Sequence, residues 1–322
     1  MPYQAERELA IEAVIRACRL CSAVQATLSS GDDATKSDRS PVTVADYGAQ
    51  AVVAALLARH FPHDPLVGEE EAHQLRQPEN AGLCAKVAAQ VRRILPDLES
   101  TDVLAAIDRG AHAGGARGRH WTLDPIDGTK GFLRREQYAV ALALIVAGRV
   151  VLGVLGCPNL APGGRVFVAV QEAGAFERGL DDGTERPMHV AAITDPTAAT
   201  FCESVEAGHS SHDDAHKVAL LLGVSAPPLR MDSQAKYGCV ARGDAAIYLR
   251  LPTRKGYQEK IWDHAAGSII VSEAGGKVTD CRGAPLDFSL GRTLANNTGV
   301  VATNGPLHER VLAAVRQVLA PS

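Results

Sequence analysis

Leu123-Asp124-Pro125-Ile126-Asp127-Gly128-Thr129 is the stretch around which the rest of this chain falls into order. It follows the run Trp121-Thr122-Leu123, and its Pro125 and Gly128 predict a turn at a strand end that brings Asp124 and Asp127 to one side. Two carboxylates on a rigid turn, with no His or Cys beside them, suit a hard, oxygen-seeking ion such as Mg²⁺ better than Zn²⁺. An Asp-Gly pair is also an ordinary turn, so the surrounding chain has to decide between the readings.

Downstream, the runs Tyr138 to Ala147, Val150 to Leu155 and Val166 to Val170 predict the strands of a main sheet. The apolar stretch Tyr138 to Pro158 is cut by Arg149 and three glycines, which makes it two buried strands and not a membrane span. Upstream, helices are expected over 4–28 and from an N-capping Asp46 to about His60, with a polar loop from Ser29 to Ala45 between them. Pro65-Leu66-Val67 reads as a short strand ending in Gly68 and three glutamates. Residues 79–95 and 101–109 read as helical, and Gly110 to Gly118 as a mobile glycine-rich loop without a phosphate-loop lysine. Beyond a linker near Asp181 to Thr197, a strand at Phe201, helices at 212–222 and 233–242, a strand at Ala245 to Leu251, a helix at 263–274, a strand at 276–280 and a helix at 306–319 predict an α/β lobe. The organisation expected is two lobes, 1–195 and 196–322.

Composition narrows the function. Thirty-three Lys+Arg against 37 Asp+Glu give a net charge of −4, which excludes a generic binder of nucleic-acid polymers, and 46% apolar residues exclude overall disorder. Glu6, Arg7, Glu8 and Glu12 break any signal-peptide core, so a cytoplasmic protein without a membrane anchor is expected. Seven cysteines, odd in number and thinly spread, are not a disulfide framework. Cys18 and Cys21 fall within the helical stripe Leu9, Ala13, Val14, Ala17, Leu20, Val24 and Leu28, which predicts core packing.

Other acids stand at comparable places. Glu69 and Glu70 follow a predicted strand, Asp46 begins a predicted helix, and Asp263 opens another, where it is either an N-cap or a site residue. If they converge, they form a site in which two or more metal ions clamp a phosphorus centre. Residues 230–260 add seven basic residues (Arg230, Lys236, Arg242, Arg250, Arg254, Lys255, Lys260) against three acids, which is either a solvated face or a place for a second anionic group. His209, His212 and His216 lack a fourth ligand for zinc, and Trp262 reads as a packing aromatic.

The segments SPVTVAD (40–46), VGEE (67–70), LDPIDGTKGFLR (123–134), QYAVALALI (137–145) and WDHAAGSIIVSEAGG (262–276) resemble, in order and spacing, the lithium-sensitive Mg²⁺-dependent phosphatases of the inositol monophosphatase superfamily. Within it, SVEAGHSSHD (204–213), MDSQAKY (231–237), AIYLRLP (246–252) and YQEKIWDH (257–264) are similar to the 3′(2′),5′-bisphosphate nucleotidase branch, rather than to inositol monophosphatases or inositol polyphosphate 1-phosphatases. The resemblance implies a layered αβαβα sandwich of α/β (α+β) class and two or three Mg²⁺ ions. It also implies a monomer acting on a small nucleotide, adenosine 3′,5′-bisphosphate, and on its sulfated analogue. Position by position it implies metal ligation by Glu69, Asp124, Asp127, Asp263 and the Ile126 carbonyl. It makes Asp46 and Thr129 the pair that orients the attacking water, and Gly128, Thr129, His209, Ser233, Lys236 and Arg250 the substrate contacts. Residues 72–120 match no block, and Glu71 is unassigned.

Overall fold

The computed structural model describes residues 2–28, 40–206, 210–254 and 256–320. Helix α1 (Gln4–Gln25) buries the expected stripe from Leu9 to Val24, including Cys18 and Cys21, ends before its last member Leu28, and packs beside α2 (Ser40–His60). Helix α2 begins six residues earlier than expected. Pro41 is tolerated in a first turn because the N–H it lacks has no intrahelical partner there, and Asp46 therefore lies inside the helix instead of capping it.

A seven-stranded sheet follows in chain order: β1 (Leu66–Gly68), β2 (Arg119–Asp127), β3 (Ala139–Val146), β4 (Arg149–Cys157), β5 (Arg165–Val170), β6 (Gly174–Arg178) and β7 (Arg186–Pro187). Only β1 and β2 are parallel, and the crossover between them carries α3 (Ala81–Ile94) and α4 (Ser100–Asp108). The segment expected to turn after Leu123 is instead the end of β2. Asp124 pairs with Ala141 and Asp127 with Ala139, so Pro125 and Ile126 stand opposite Val140 alone, and this bulge absorbs the N–H that proline cannot supply. The turn comes one residue later, at Gly128 (φ 88°), before α5 (Thr129–Leu133). The start of the glycine-rich stretch 110–118 is pinned, with Gly110 accepting from the Gly68 N–H and His112 donating to the Leu66 carbonyl.

The remaining chain forms β8 (Phe201–Glu203), α6 (His212–Leu222), β9 (Leu229–Arg230), α7 (Ala235–Ala241), β10 (Ile247–Arg250), α8 (Ala265–Glu273), β11 (Lys277–Thr279), β12 (Val300–Thr303) and α9 (His308–Leu319). Its strands order as β11-β12-β10-β8-β9. Strand β12 escaped the sequence reading although it pairs with both β10 and β11, because four residues bounded by polar loops carry no periodicity to read.

Three hydrophobic clusters separate five layers: α1 and α2, the seven-stranded sheet, α7 and α8, the five-stranded sheet, and α6 with α9. The protein is thus the αβαβα sandwich expected. Strand β4 lies between two helical layers and meets each through a glycine. A Cβ at Gly156 would lie 2.6 Å from Val14 of α1, and one at Gly153 would lie 2.8 Å from the Ala266 carbonyl of α8. No helix among the described residues is long and apolar enough to cross a membrane.

Candidate active site

The ends of β1 and β2, the start of α5, the segment before α7, the end of β10 and the entry to α8 meet around a cavity of about 330 Å³. Its wall includes Glu69, Asp124, Ile126, Asp127, Gly128, Thr129, Ser233, Lys236, Arg250 and Asp263. Asp46 does not line the cavity but lies close enough to feel the charges of Glu70 and Glu69, and His209 lies outside the described residues.

Strand pleating and the bulge determine how the acids are presented. Asp124 is buried, and its Oδ1 has no hydrogen-bond partner. Burial, with the charges of Glu69 and Asp127 next, pushes its carboxyl well above the usual range. Desolvation in the cleft, followed by the charge of Glu70, pushes Glu69 up to about 7. Burial raises Asp263 well above its ordinary value; Arg250 opposes this and Asp127 adds to it. Asp46, on α2, is likewise pushed up by burial and then by Glu70 and Glu69. An all-oxygen donor set with an orphaned buried carboxylate oxygen and mutual repulsion fits a hard divalent cation. The Thr129 hydroxyl donates to the Ile126 carbonyl at 3.5 Å.

Gly128 has two reasons to be glycine. Its φ is positive, and a Cβ there would lie 3.0 Å from the Ser233 Cβ. Ser233 itself adopts φ 69°, an unusual conformation for a residue with a side chain, and this turns the Gln234 N–H onto the Asp127 carboxylate at 2.6 Å. The Gln234 side chain donates to the Trp262 carbonyl and accepts from the Gly267 N–H, tying the β2 acid to the entry of α8.

The cations are held differently. Lys236, 3% exposed, donates to the Ser233 and Met231 carbonyls at 2.8 and 3.3 Å and lies over the Tyr248 ring, and burial lowers its pKa. Arg250 Nε forms an ion pair with Glu259 at 2.8 Å, and its Nη2 is 3.6 Å from Asp263. Glu259 also accepts from His264 Nε2 at 3.2 Å, and His264 Nδ1 meets the Tyr237 hydroxyl at 2.8 Å. Burial acts to raise Glu259, but His264 and Arg250 overcome it and leave its pKa at about 2.

The basic stretch 230–260 is not one patch. Arg242 pairs with Asp244 over the Phe167 ring, Arg230 sits 3.8 Å from Glu203, and Lys260 lies over Trp262. A charge sum along the chain carries no direction, whereas successive elements here point in different ones. Lys255 lies outside the described residues. Trp262 is buried beneath Arg292, as its packing assignment anticipated. His212 is bonded to the Ser204 carbonyl and His216 is exposed, so neither joins the cavity.

Several contributors went unread. Gln50, one turn after Asp46, clamps Glu70 through both its N–H and carbonyl and also reaches the Ile107 carbonyl. Arg292 binds the Gly68 and Gly110 carbonyls behind Glu69, and no local pattern marks it. Glu259 sits inside a quoted block, but nothing in the sequence singled it out. A larger cavity of about 600 Å³ adjoins the first, and Lys130, Arg250 and Tyr257 line both.

The inositol monophosphatase family model matches residues 3–320. A protein of Oryza sativa named 3′(2′),5′-bisphosphate nucleotidase is 46% identical over 342 residues, covering 99% of this chain and 95% of its own length. One of the same name from Schizosaccharomyces pombe is 44% identical over 343 residues, covering 99% and 97%. Among solved structures, an inositol monophosphatase of Thermotoga maritima superposes with a TM-score of 0.67 at 20% identity, covering 98% of each chain.

Proposed function

This chain belongs to the inositol monophosphatase family, and from that premise we propose that it is a 3′(2′),5′-bisphosphate nucleotidase, hydrolysing the 3′-phosphate of adenosine 3′,5′-bisphosphate to give AMP and phosphate. The sulfated analogue, 3′-phosphoadenosine 5′-phosphosulfate, is a second substrate under this reading, and lithium inhibits. The observation that carries it is one cavity lined by Glu69, Asp124, Asp127 and Asp263, with a partnerless Asp124 oxygen, and also by Lys236 and Arg250, a combination that suits a substrate with two separate anionic groups. The adjoining cavity leaves room for the nucleoside.

Glu69, Asp124, Asp127, Asp263 and the Ile126 carbonyl would hold two or three Mg²⁺ ions. When bound, these supply charge neutralisation and Lewis-acid polarisation of the phosphoryl oxygens. The chain's own groups do the rest. The Thr129 hydroxyl and the Asp46 carboxylate orient the attacking water and take its proton. Lys236 and Arg250 hold the second anionic group, Gly128 admits the phosphate close to the backbone, and Ser233 and His209 complete the substrate contacts. The reading places the enzyme in the cytoplasm as a monomer of two lobes, 1–195 and 196–322.

The test is phosphate release from adenosine 3′,5′-bisphosphate and inositol 1-phosphate side by side, with Mg²⁺ and with EDTA. We expect metal-dependent release that favours the nucleotide and falls in millimolar lithium. Preference for inositol phosphate would overturn the substrate assignment and leave the metal chemistry; no release from either would overturn both.

A further inference from the structure

Glu259, Asp263 and His264 bring ligand-type atoms within 4.8 Å of one another, yet a cation from the chain already stands among them. Arg250 is shared unequally, with its Nε 2.8 Å from Glu259 and its Nη2 3.6 Å from Asp263. The tighter partner is itself fixed. Glu259 is almost fully buried, and its carboxylate can only accept, so His264 Nε2 is the donor between them. His264 Nδ1 is then the acceptor for the Tyr237 hydroxyl. Tyr237 packs edge-to-face on Tyr248 and against Gly267, where any Cβ would collide with its ring. Tyr237, His264 and Glu259 are therefore buried and linked in series behind Arg250, while the contact of Arg250 with Asp263 is longer than its contact with Glu259. The guanidinium carries a full charge within reach of both carboxylates, and its settling on one leaves the other available.

We infer that Glu259, anchored by His264, is a positioning residue that holds Arg250 off Asp263, so that Asp263 remains free for a cation and the outer face of the guanidinium remains free for an anion. The mechanism is competition. With Glu259 neutral, Arg250 closes onto Asp263 and occupies the oxygens a divalent ion would take. The anion half of this inference rests on the nucleotide reading, and the cation half does not.

The experiment separates them. Mn²⁺ binding is measured by titration calorimetry, without substrate, for the wild type, Glu259→Gln, Arg250→Gln and the double variant, with thermal melts for each. If Glu259 acts through Arg250, Glu259→Gln weakens Mn²⁺ binding about tenfold, Arg250→Gln does not weaken it, and the double variant binds as Arg250→Gln does. If the effect were only the summed field of two charges, the single changes would add and the double variant would bind more weakly than Arg250→Gln by the same factor that separates Glu259→Gln from the wild type, which overturns the inference. So does wild-type affinity in Glu259→Gln, or a double variant as weak as Glu259→Gln. Should Glu259→Gln fail to fold, Glu259→Asp, which draws the charge back by one methylene, carries the same cycle with a loss of about threefold. The substrate comparison in the previous subsection fails or succeeds independently of this binding result.

Discussion

On one side of the cavity, Glu69, Asp124 and Asp127 have no ion pair among the described residues, and Asp124 keeps a buried oxygen with no partner at all. On the other, every cation is tied. Lys236 is bonded to two backbone carbonyls, Arg250 rests on Glu259, and at the mouth Lys130 reaches Glu206 at 2.9 Å. The acids are held in an arrangement that is unfavourable until a cation arrives; the cations are settled before any anion does. The fold thus stores its tension on the metal side and its order on the substrate side.

The strongest way to break this comparison is Asp124→Asn. Phosphate release should fall by at least about a hundredfold, while in EDTA the melting temperature should rise by about 2 °C or more, because a buried repulsion is gone. A lower melting temperature in EDTA would mean that the acid wall is not strained. Lys236→Ala should behave oppositely on stability, leaving the Met231 and Ser233 carbonyls unpaired at a cost of about 1–3 kcal/mol. It should also raise KM for the bisphosphate by about tenfold or more, read in steady-state kinetics beside a melt. Lys130→Met sharpens the comparison from the weak end. Lys130 is itself exposed, so activity and stability should both change by less than about threefold, and a larger change would mean that the mouth of the cavity is ordered as firmly as its floor.

A main sheet and an α/β second half were legible because α1 and the main strands carry long periodic runs, whereas the five-layer order and the site residues came from the resemblance, since acids at element ends also serve as caps and turns and the chain alone does not show that they converge. What escaped depended on geometry that a chain cannot spell out locally. Strand β12 is too short to show a period, Asp46 was displaced from its expected cap by a proline that suits a first turn, and the Asp124 turn became a bulge because β3 offers one residue where β2 offers two. Glu259, Gln50 and Arg292 act through residues 9 to more than 200 positions away, and only their neighbours in space reveal what they do.

Gly153 lies in the middle of β4, yet it governs the two halves of the candidate metal site. Helix α8 rests its Ala266 backbone on the bare α-carbon, and Asp263 stands three residues before that point. Adding a methyl group at residue 153 would act as a shim, lifting the helix from the sheet and carrying Asp263 away from Asp124, which is anchored in the sheet itself. The spacing between carboxylates from distant parts of the chain thus depends in part on a missing side chain, because the backbone of α8 lies closer to the sheet there than a methyl group allows.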